Sequence, residues 1–338
     1  MSSFDLALTS RPGFGRMYAP GALTLGLLFP LESYPGPVPR MDLHEQVAQA
    51  RLAEQRGFAA LWARDVPLFD PSFGDVGQMF DPWVWLTHIA AHTSGIALAT
   101  GSTVLPLRNP IDTAKGAASV DLLSGGRLVM GAATGDRGVE FPAYGLDRDA
   151  SGTLFRASVA AMRRLWADDF PTLNTPYGTL QNAGMLPRPA GGRVPLLITG
   201  NSRQDLAWIA EHGDGWLMYP RPVEQQRMVV DRWRAAGAAL DTIKPFSQSL
   251  YIDLAEPATA RPVPIHLGYR LGREPLVEHL TRLRDIGVNH VLLNLKYGRR
   301  PAPEVLHELA EYVLPHFPVI PNDESKEWNI DVALADRG

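Results

Sequence analysis

Cysteine is absent from all 338 residues, which excludes disulfides, thiolate metal sites and a cysteine nucleophile together. Positive charge is scarce as well: 32 Lys and Arg face 36 Asp and Glu, for a net charge of −4. A chain without a basic field has nothing to hold a phosphate polymer, so nucleic acid is not an expected partner. Long apolar runs are missing too. The longest, 23–31, is interrupted by Gly26 and Pro30 and falls short of a bilayer span. The first residues lack the basic start and apolar stretch of a secretion signal, so the expectation is a cytoplasmic protein with no membrane contact.

Several catalytic motifs are also missing. There is no GxSxG elbow for a serine nucleophile and no GxxxxGK[ST] phosphate loop. Among nine histidines only His88 and His92 stand at i, i+4, without the glutamate of an HExxH zinc site. The first expected strand ends in Phe29-Pro30, not in the His-x-His of metal-dependent barrel hydrolases. No metal is expected.

What is present is 45% hydrophobic residues, enough to bury a sizeable core, arranged in eight short β-like runs. They are 23–29, 59–63, 96–105, 127–132, 194–199, 215–219, 246–254 and 289–295. Most are continuous apolar runs, as parallel strands covered on both faces require. Helical stripes lie between them: Leu43, Val47, Ala50 and Ala53 stop at Gly57, and Asn109-Pro110 offers an N-cap and first-turn proline ahead of Ile111, Ala114, Ala118 and Leu122. Strand then helix, eight times, closes most simply as a single-domain α/β fold, a (β/α)8 TIM barrel with insertion loops. An open doubly wound sheet is the alternative. The barrel is assigned to 23–318, with an N-terminal extension at 1–22 and a C-terminal tail at 319–338. Long connections run over 138–152, 168–193 and 256–274; the first and third follow strands four and seven, at the end where barrel active sites are built.

The strand ends combine aromatic and apolar groups with sparse polar ones, which suits a flat organic cofactor and a small substrate. The stretch Thr199-Gly200-Asn201-Ser202-Arg203 follows a buried strand and is expected to open a helix, so the amides of Asn201, Ser202 and Arg203 would converge on an anion. An ordinary N-cap by Asn201 or Ser202 explains the same residues equally well.

One long segment resembles a known family. Asp81-Pro82, Ala91 and Thr93, Arg108-Asn109-Pro110, Leu123-Ser124-Gly125-Gly126-Arg127, then Glu140-Phe141 and Gly145, and SRQDLAWIAEHGDGW beyond, are similar in order and spacing to the bacterial luciferase-like monooxygenases, flavin-dependent (β/α)8 barrels. LFPLESYPGPVP with DVPLFDPSFGDVGQ looks like one subfamily of luciferase-type oxidoreductases. The resemblance implies that Gly200, Asn201, Ser202 and Arg203 hold a flavin phosphate. It also implies that the isoalloxazine lies across the mouth near Phe29, Asp65, Thr103 and Thr134. Asp65 stands where luciferase proper has a catalytic histidine, and Ala133 and Thr134 stand where it has a reactive cysteine and an arginine, which puts light-emitting aldehyde oxidation in doubt.

The function so implied is a flavin-dependent oxidoreductase, a two-component monooxygenase using reduced FMN and O2 on a small organic substrate, with a flavin reductase as partner and a homodimer as its assembly. Arg64 and Asp65 are the expected catalytic residues. Glu140, in the same loop as Arg137, is expected to pair with a basic neighbour as a structural clasp rather than to act in catalysis, and His266, Tyr269 and Arg270 to form a lid. Two alternatives remain: hydride transfer with the deazaflavin F420, whose anionic tail could follow Arg203, Arg221, Arg270 and Arg273, and a non-catalytic flavin-binding barrel.

Overall fold

A computed structural model describes residues 4–33, 42–73 and 80–319. Residues 34–39 and 74–78 of the two subfamily stretches, and the expected tail from residue 320 onward, lie outside the described residues. Eight parallel strands form a closed ring: β1 Thr24–Phe29, β2 Ala60–Ala63, β3 Ala97–Val104, β4 Leu128–Ala133, β5 Leu196–Thr199, β6 Gly215–Met218, β7 Phe246–Leu254 and β8 His290–Asn294. Each pairs with the next, and β8 closes on β1 through Thr24 opposite His290. The doubly wound alternative is therefore set aside.

Eight helices follow the strands in turn: α1 Leu43–Gln55, α2 Pro82–Ala90, α3 Pro110–Leu123, α4 Ser151–Ala167, α5 Leu206–His212, α6 Val223–Ala238, α7 Arg273–Asp285 and α8 Ala302–Tyr312. Their starts follow local chemistry. Asp81 accepts hydrogen bonds from the amides of Trp83 and Val84 with Pro82 at the first helical position, and Asn109 accepts from Ile111 N with Pro110 behind it. The side chains between strands and helices form one contiguous apolar layer.

The expected N-terminal extension is part of the barrel's floor. Two short helices, Leu6–Thr9 and Pro12–Met17, press Phe14, Met17 and Tyr18 beneath Trp62, Ala97, Val129 and Leu292 inside the ring. Gly13 allows this closeness, since a Cβ there would sit 2.2 Å from Arg127 O. Arg11 ties the plug to α3 through a 2.5 Å ion pair with the buried Asp121.

Part of the punctuation that carried the resemblance, Thr93 and Ser124-Gly125-Gly126-Arg127, is at this floor. Arg127 donates to Ser124 O, Thr93 Oγ1 and the carbonyls of Ile96, Ala90 and Thr93, while Glu54 Oε1 accepts from the amides of Ser94, Gly95 and Ile96. Gly125 and Gly126, at φ 68° and 78°, make the left-handed turn that aims Arg127 into the clamp. These residues hold α2 and α3 to the strands and stand at the end opposite the mouth.

Above the floor the barrel holds a polar chain. Trp62 Nε1 donates to His290 Nε2 at 3.0 Å, so the ring proton is on Nδ1 and points to Thr24 Oγ1 at 2.8 Å, which donates to Met17 O at 2.7 Å. Complete burial pushes the His290 imidazole down to about 3, so it is neutral at ordinary pH.

Candidate active site

The C-terminal ends of the strands surround a cavity of about 590 Å³, within the range of small-molecule and cofactor sites. Leu28, Gly101, Leu217 and Leu292 contribute its apolar wall. Polar groups enter from the loops: Arg64 and Asp65 after β2, Thr134 to Glu140 after β4, Gly200 and Ser202 after β5, Tyr219 after β6, and His266 and Tyr297 beyond β7 and β8.

The expected site residues divide. Arg64, Asp65, Thr134, Gly200 and Ser202 all line the cavity. Arg64 and Asp65 both face it because they lie past the last residue of β2, Ala63, where strand alternation no longer applies. Phe29 and Thr103 are fully buried and are not part of the lining: Phe29 packs 5.0 Å from Trp85. The β3–β4 register shifts between Thr100 and Thr103, so Ser102, on the cis Gly101-Ser102 peptide, takes the lining position and bonds Thr199 Oγ1 at 2.5 Å. Asn201 and Arg203 are exposed beside the cavity, with Arg203 Nη1 3.5 Å from Asp149 Oδ1.

The turn after β5 corrects one expectation. No helix opens at Asn201. The helix α5 begins at Leu206, and Asp205 caps it by accepting from Trp208 N. A carboxylate already occupies that helix end, so its dipole is not what would attract an anion. Gly200, Ser202 and Arg203 instead have φ of 58°, 43° and 54°, left-handed positions interrupted at Asn201, in a turn held by Ser202 Oγ donating to Thr199 O at 2.8 Å. Gly200 N bonds Leu217 O and Gln204 N bonds Asn201 O. Among the described residues the amides of Asn201, Ser202 and Arg203 between them donate to no acceptor in the chain. A concave run of backbone amides is an anion-binding form that needs no helix.

Asp65 is 7% exposed and tightly engaged: its oxygens accept from Arg108 Nε at 2.8 Å, Arg108 Nη2 at 2.7 Å and Val104 N at 3.0 Å. Arg108 also reaches Asp81 at 2.9 Å, which links the ends of β2 and β3 to the cap of α2. The Arg108-Asn109-Pro110 motif thus supplies both a helix start and the partner of Asp65, a pairing that sequence spacing did not suggest.

Glu140 was expected to clasp a basic neighbour. It is 1% exposed and lines the cavity, with Arg137 Nη1 4.0 Å away. Burial pushes its carboxyl up to about 7; Arg137 opposes the shift, and Asp65, Asp136 and Asp70 add to it. Tyr219, pushed up to about 12 mainly by burial, remains a neutral phenol.

The expected lid is divided too. The loop after β7 forms a hairpin, Val263–Ile265 with Gly268–Leu271, whose second strand pairs in parallel with the end of β7. His266 at its tip lines the cavity and packs edge-on 5.7 Å from Tyr251, but Tyr269 packs 5.3 Å from His279 and Arg270 pairs with Asp253 at 3.7 Å. The 168–193 connection carries the hairpin Leu173–Thr175 with Gly178–Leu180, and Tyr177 beside it donates to Pro106 O at 3.3 Å. The rings of His88 and His92 lie tilted against each other at the end of α2, with centroids 4.6 Å apart, and no metal-ligating cluster occurs among the described residues.

The family model for luciferase-like monooxygenases matches residues 23–261 of this chain. The chain belongs to that family. An uncharacterized protein of Mycobacterium tuberculosis is 31% identical over 228 residues, 60% of this chain and 80% of the relative. The F420-dependent hydroxymycolic acid dehydrogenase of the same organism is 29% identical over 58% of this chain and 56% of its own length. The crystal structure of monooxygenase RslO1 from Streptomyces bottropensis superposes with a TM-score of 0.73 at 20% identity, covering 87% of this chain and 99% of that one, and so shows the shared barrel fold. Luciferase-like relatives thus include both oxygen-using and F420-using oxidoreductases. Among the described residues no helix is long and apolar enough to cross a membrane.

Proposed function

We propose that this chain is a flavin-dependent oxidoreductase that binds reduced FMN in the barrel mouth and, with O2, oxidises a small organic substrate, its reducing equivalents delivered by a separate flavin reductase. The observation that carries the reading is the turn after β5: three successive amides without acceptors, two of them (Ser202 and Arg203) on left-handed backbone, at the rim of a cavity with an apolar wall. Those residues fit a dianionic phosphate, and Arg203 beside them adds positive charge. When bound, FMN supplies the two-electron chemistry. The chain's own residues do the rest. Ser202 holds the turn in shape through Thr199 O, Leu28, Leu217 and Leu292 offer a face to the ring and keep water from it, and Thr134 and Ser102 border the same space. Arg64 and Asp65 line the same cavity and would be the polar groups available to the reaction, with Asp65 fixed by Arg108.

Hydride transfer with F420 is the second reading, favoured by the F420-dependent relative. The longer anionic tail of F420 needs an open basic track. Arg203 lies by Asp149, Arg221 donates to Tyr219 O, Arg270 pairs with Asp253 and Arg273 with Glu308, so these four do not assemble one. That supports FMN.

A titration tests the assignment. Wild-type protein is expected to bind FMN more tightly than riboflavin, because only FMN carries the phosphate. Ser202→Asp places a carboxylate in the cradle, and FMN affinity should fall at least ~10-fold, about 1.4 kcal/mol, with riboflavin affinity unchanged. Equal FMN binding by variant and wild type would put the phosphate elsewhere. Binding of F420 with no binding of FMN would favour the second reading, and absence of oxygen consumption across a wide substrate screen would favour a flavin-binding barrel without catalysis.

A further inference from the structure

The carboxyl groups around the barrel mouth are not equivalent. Asp65 is held by Arg108 and the Val104 amide, and Asp70 accepts from the hydroxyl and amide of Ser72. Glu140 opens the short helix Glu140–Ala143, is 1% exposed and lines the cavity, yet its Oε1 has no hydrogen-bond partner. Arg137 does not supply one: its Nη1 stays 4.0 Å away, beyond hydrogen-bond reach, while its guanidinium lies 4.4 Å over the Phe73 ring. A buried carboxyl with an unused oxygen at a ligand cavity is an unmet need in the protein alone. A ligand can meet it.

We propose that Glu140 is a proton-carrying catalytic group of this cavity, an uncharged carboxylic acid that hands its proton to the oxygen atom gaining electrons there. The proposal rests on the flavin reading above. With reduced FMN and O2 alone, two electrons and two protons leave the flavin, which ends as oxidised FMN, and arrive on O2, which ends as H2O2. Glu140 gives its proton to the reduced oxygen and takes back one that the flavin releases, so it is unchanged over the cycle. When a substrate is oxygenated, one oxygen atom enters it and the other leaves as water by the same proton delivery.

The charges facing Glu140 agree with this role. Burial acts most strongly to keep the proton on, Arg137 opposes it, and Asp65 and Asp70 from beyond β2 together with Asp136 from its own loop reinforce it; Tyr144 faces it as well. A carboxyl tuned to about 7 exchanges its proton readily at neutral pH.

The test begins without cofactor. Because folding raises the pKa of Glu140 above its unfolded value, its contribution to stability is full below the ordinary carboxylate range and is lost as pH rises toward about 7. Glu140→Gln escapes that loss, so its melting temperature relative to wild type should climb between about pH 5 and about pH 8. An ionised clasp to Arg137 gives the opposite sign, with the variant losing ground as pH rises, and that result overturns the proposal. Should the glutamine variant not fold, infrared spectra of the wild-type protein decide the same point: a protonated-carboxylic-acid carbonyl stretch lost near neutral pH supports it, and its absence overturns it. In the FMN-loaded protein, Glu140→Gln should keep FMN affinity and slow reoxidation of reduced FMN by O2 roughly 100-fold, removing the pH limb near neutrality. An unchanged rate overturns the catalytic role. The melting and infrared measurements need no flavin, so a failed FMN titration would sink the cofactor assignment and leave them standing.

Discussion

Replacing Arg108 with alanine is expected to cost about 3–5 kcal/mol of stability, because it leaves Asp65 charged, buried and without its two-pronged partner. For a chain of this size that is a fall in melting temperature on the order of 5–10 °C. The Asp65 carboxylate would retain only the Val104 amide at 3.0 Å, and Asp81 would lose the bond that ties the start of α2 to the ends of β2 and β3. Arg108→Lys should recover little, since an ammonium cannot reproduce the paired Nε and Nη2 contacts at 2.8 and 2.7 Å. Asp65→Asn separates the two uses of the carboxylate. If Asp65 serves the reaction as well as the scaffold, turnover should fall by more than the melting curve accounts for, while FMN affinity stays near wild type. A melting temperature of Arg108→Ala within a degree of wild type would show that the ion pair does not hold the mouth together.

Gly26→Ala is expected to be as damaging, from inside the barrel. A Cβ there would lie 2.7 Å from His290 Nε2 and 2.9 Å from Trp62 Nε1, on top of the bond between them. Overpacking together with a broken buried hydrogen bond gives a loss of about 2–5 kcal/mol. The same chain sets a pH dependence with a definite sign. Folding lowers the His290 pKa from 6.5 to about 3, so the unfolded chain takes up a proton that the folded one refuses. The stability that His290 contributes is present above 6.5 and drains away as pH falls toward about 3. His290→Gln should therefore be less stable than wild type at neutral pH but show a shallower acid limb in thermal melts. Parallel limbs for the two proteins would show that the imidazole is not buried neutral.

The architecture was legible because its signals are local and repeated. A short apolar run followed by a helical stripe recurs whatever the loops do, and the two best-marked helix starts, Asp81-Pro82 and Asn109-Pro110, cap as their side-chain chemistry requires. The site was legible only in part. Gly200 and Ser202 reached the cavity, but the helix thought to stand behind them starts at Leu206, because Ser202 and Arg203 take left-handed backbone that no propensity argument expects of serine and arginine. Phe29 and Thr103 were placed by counting to strand ends, and the register shift after Thr100 moved the lining position to Ser102. The Asp65–Arg108 pair spans 43 positions, and Glu140 Oε1 lacks a hydrogen bond while the Arg137 guanidinium lies over Phe73. Those are facts of packing, without a sequence period to announce them. The N-terminal residues were set aside as an extension for the same reason: only in three dimensions do Phe14, Met17 and Tyr18 meet the inside of the ring.

That plug has a kinetic consequence. With one end stoppered by aromatic side chains and the Trp62–His290 pair above them, the tunnel is a blind alley, and traffic in it must queue. On the flavin reading proposed above, the molecule that enters deepest departs last, so product has to clear the opening before the deeper occupant can be exchanged. Steady-state patterns should accordingly show an ordered sequence of arrivals and departures, and opening a route through the stopper should make that order random.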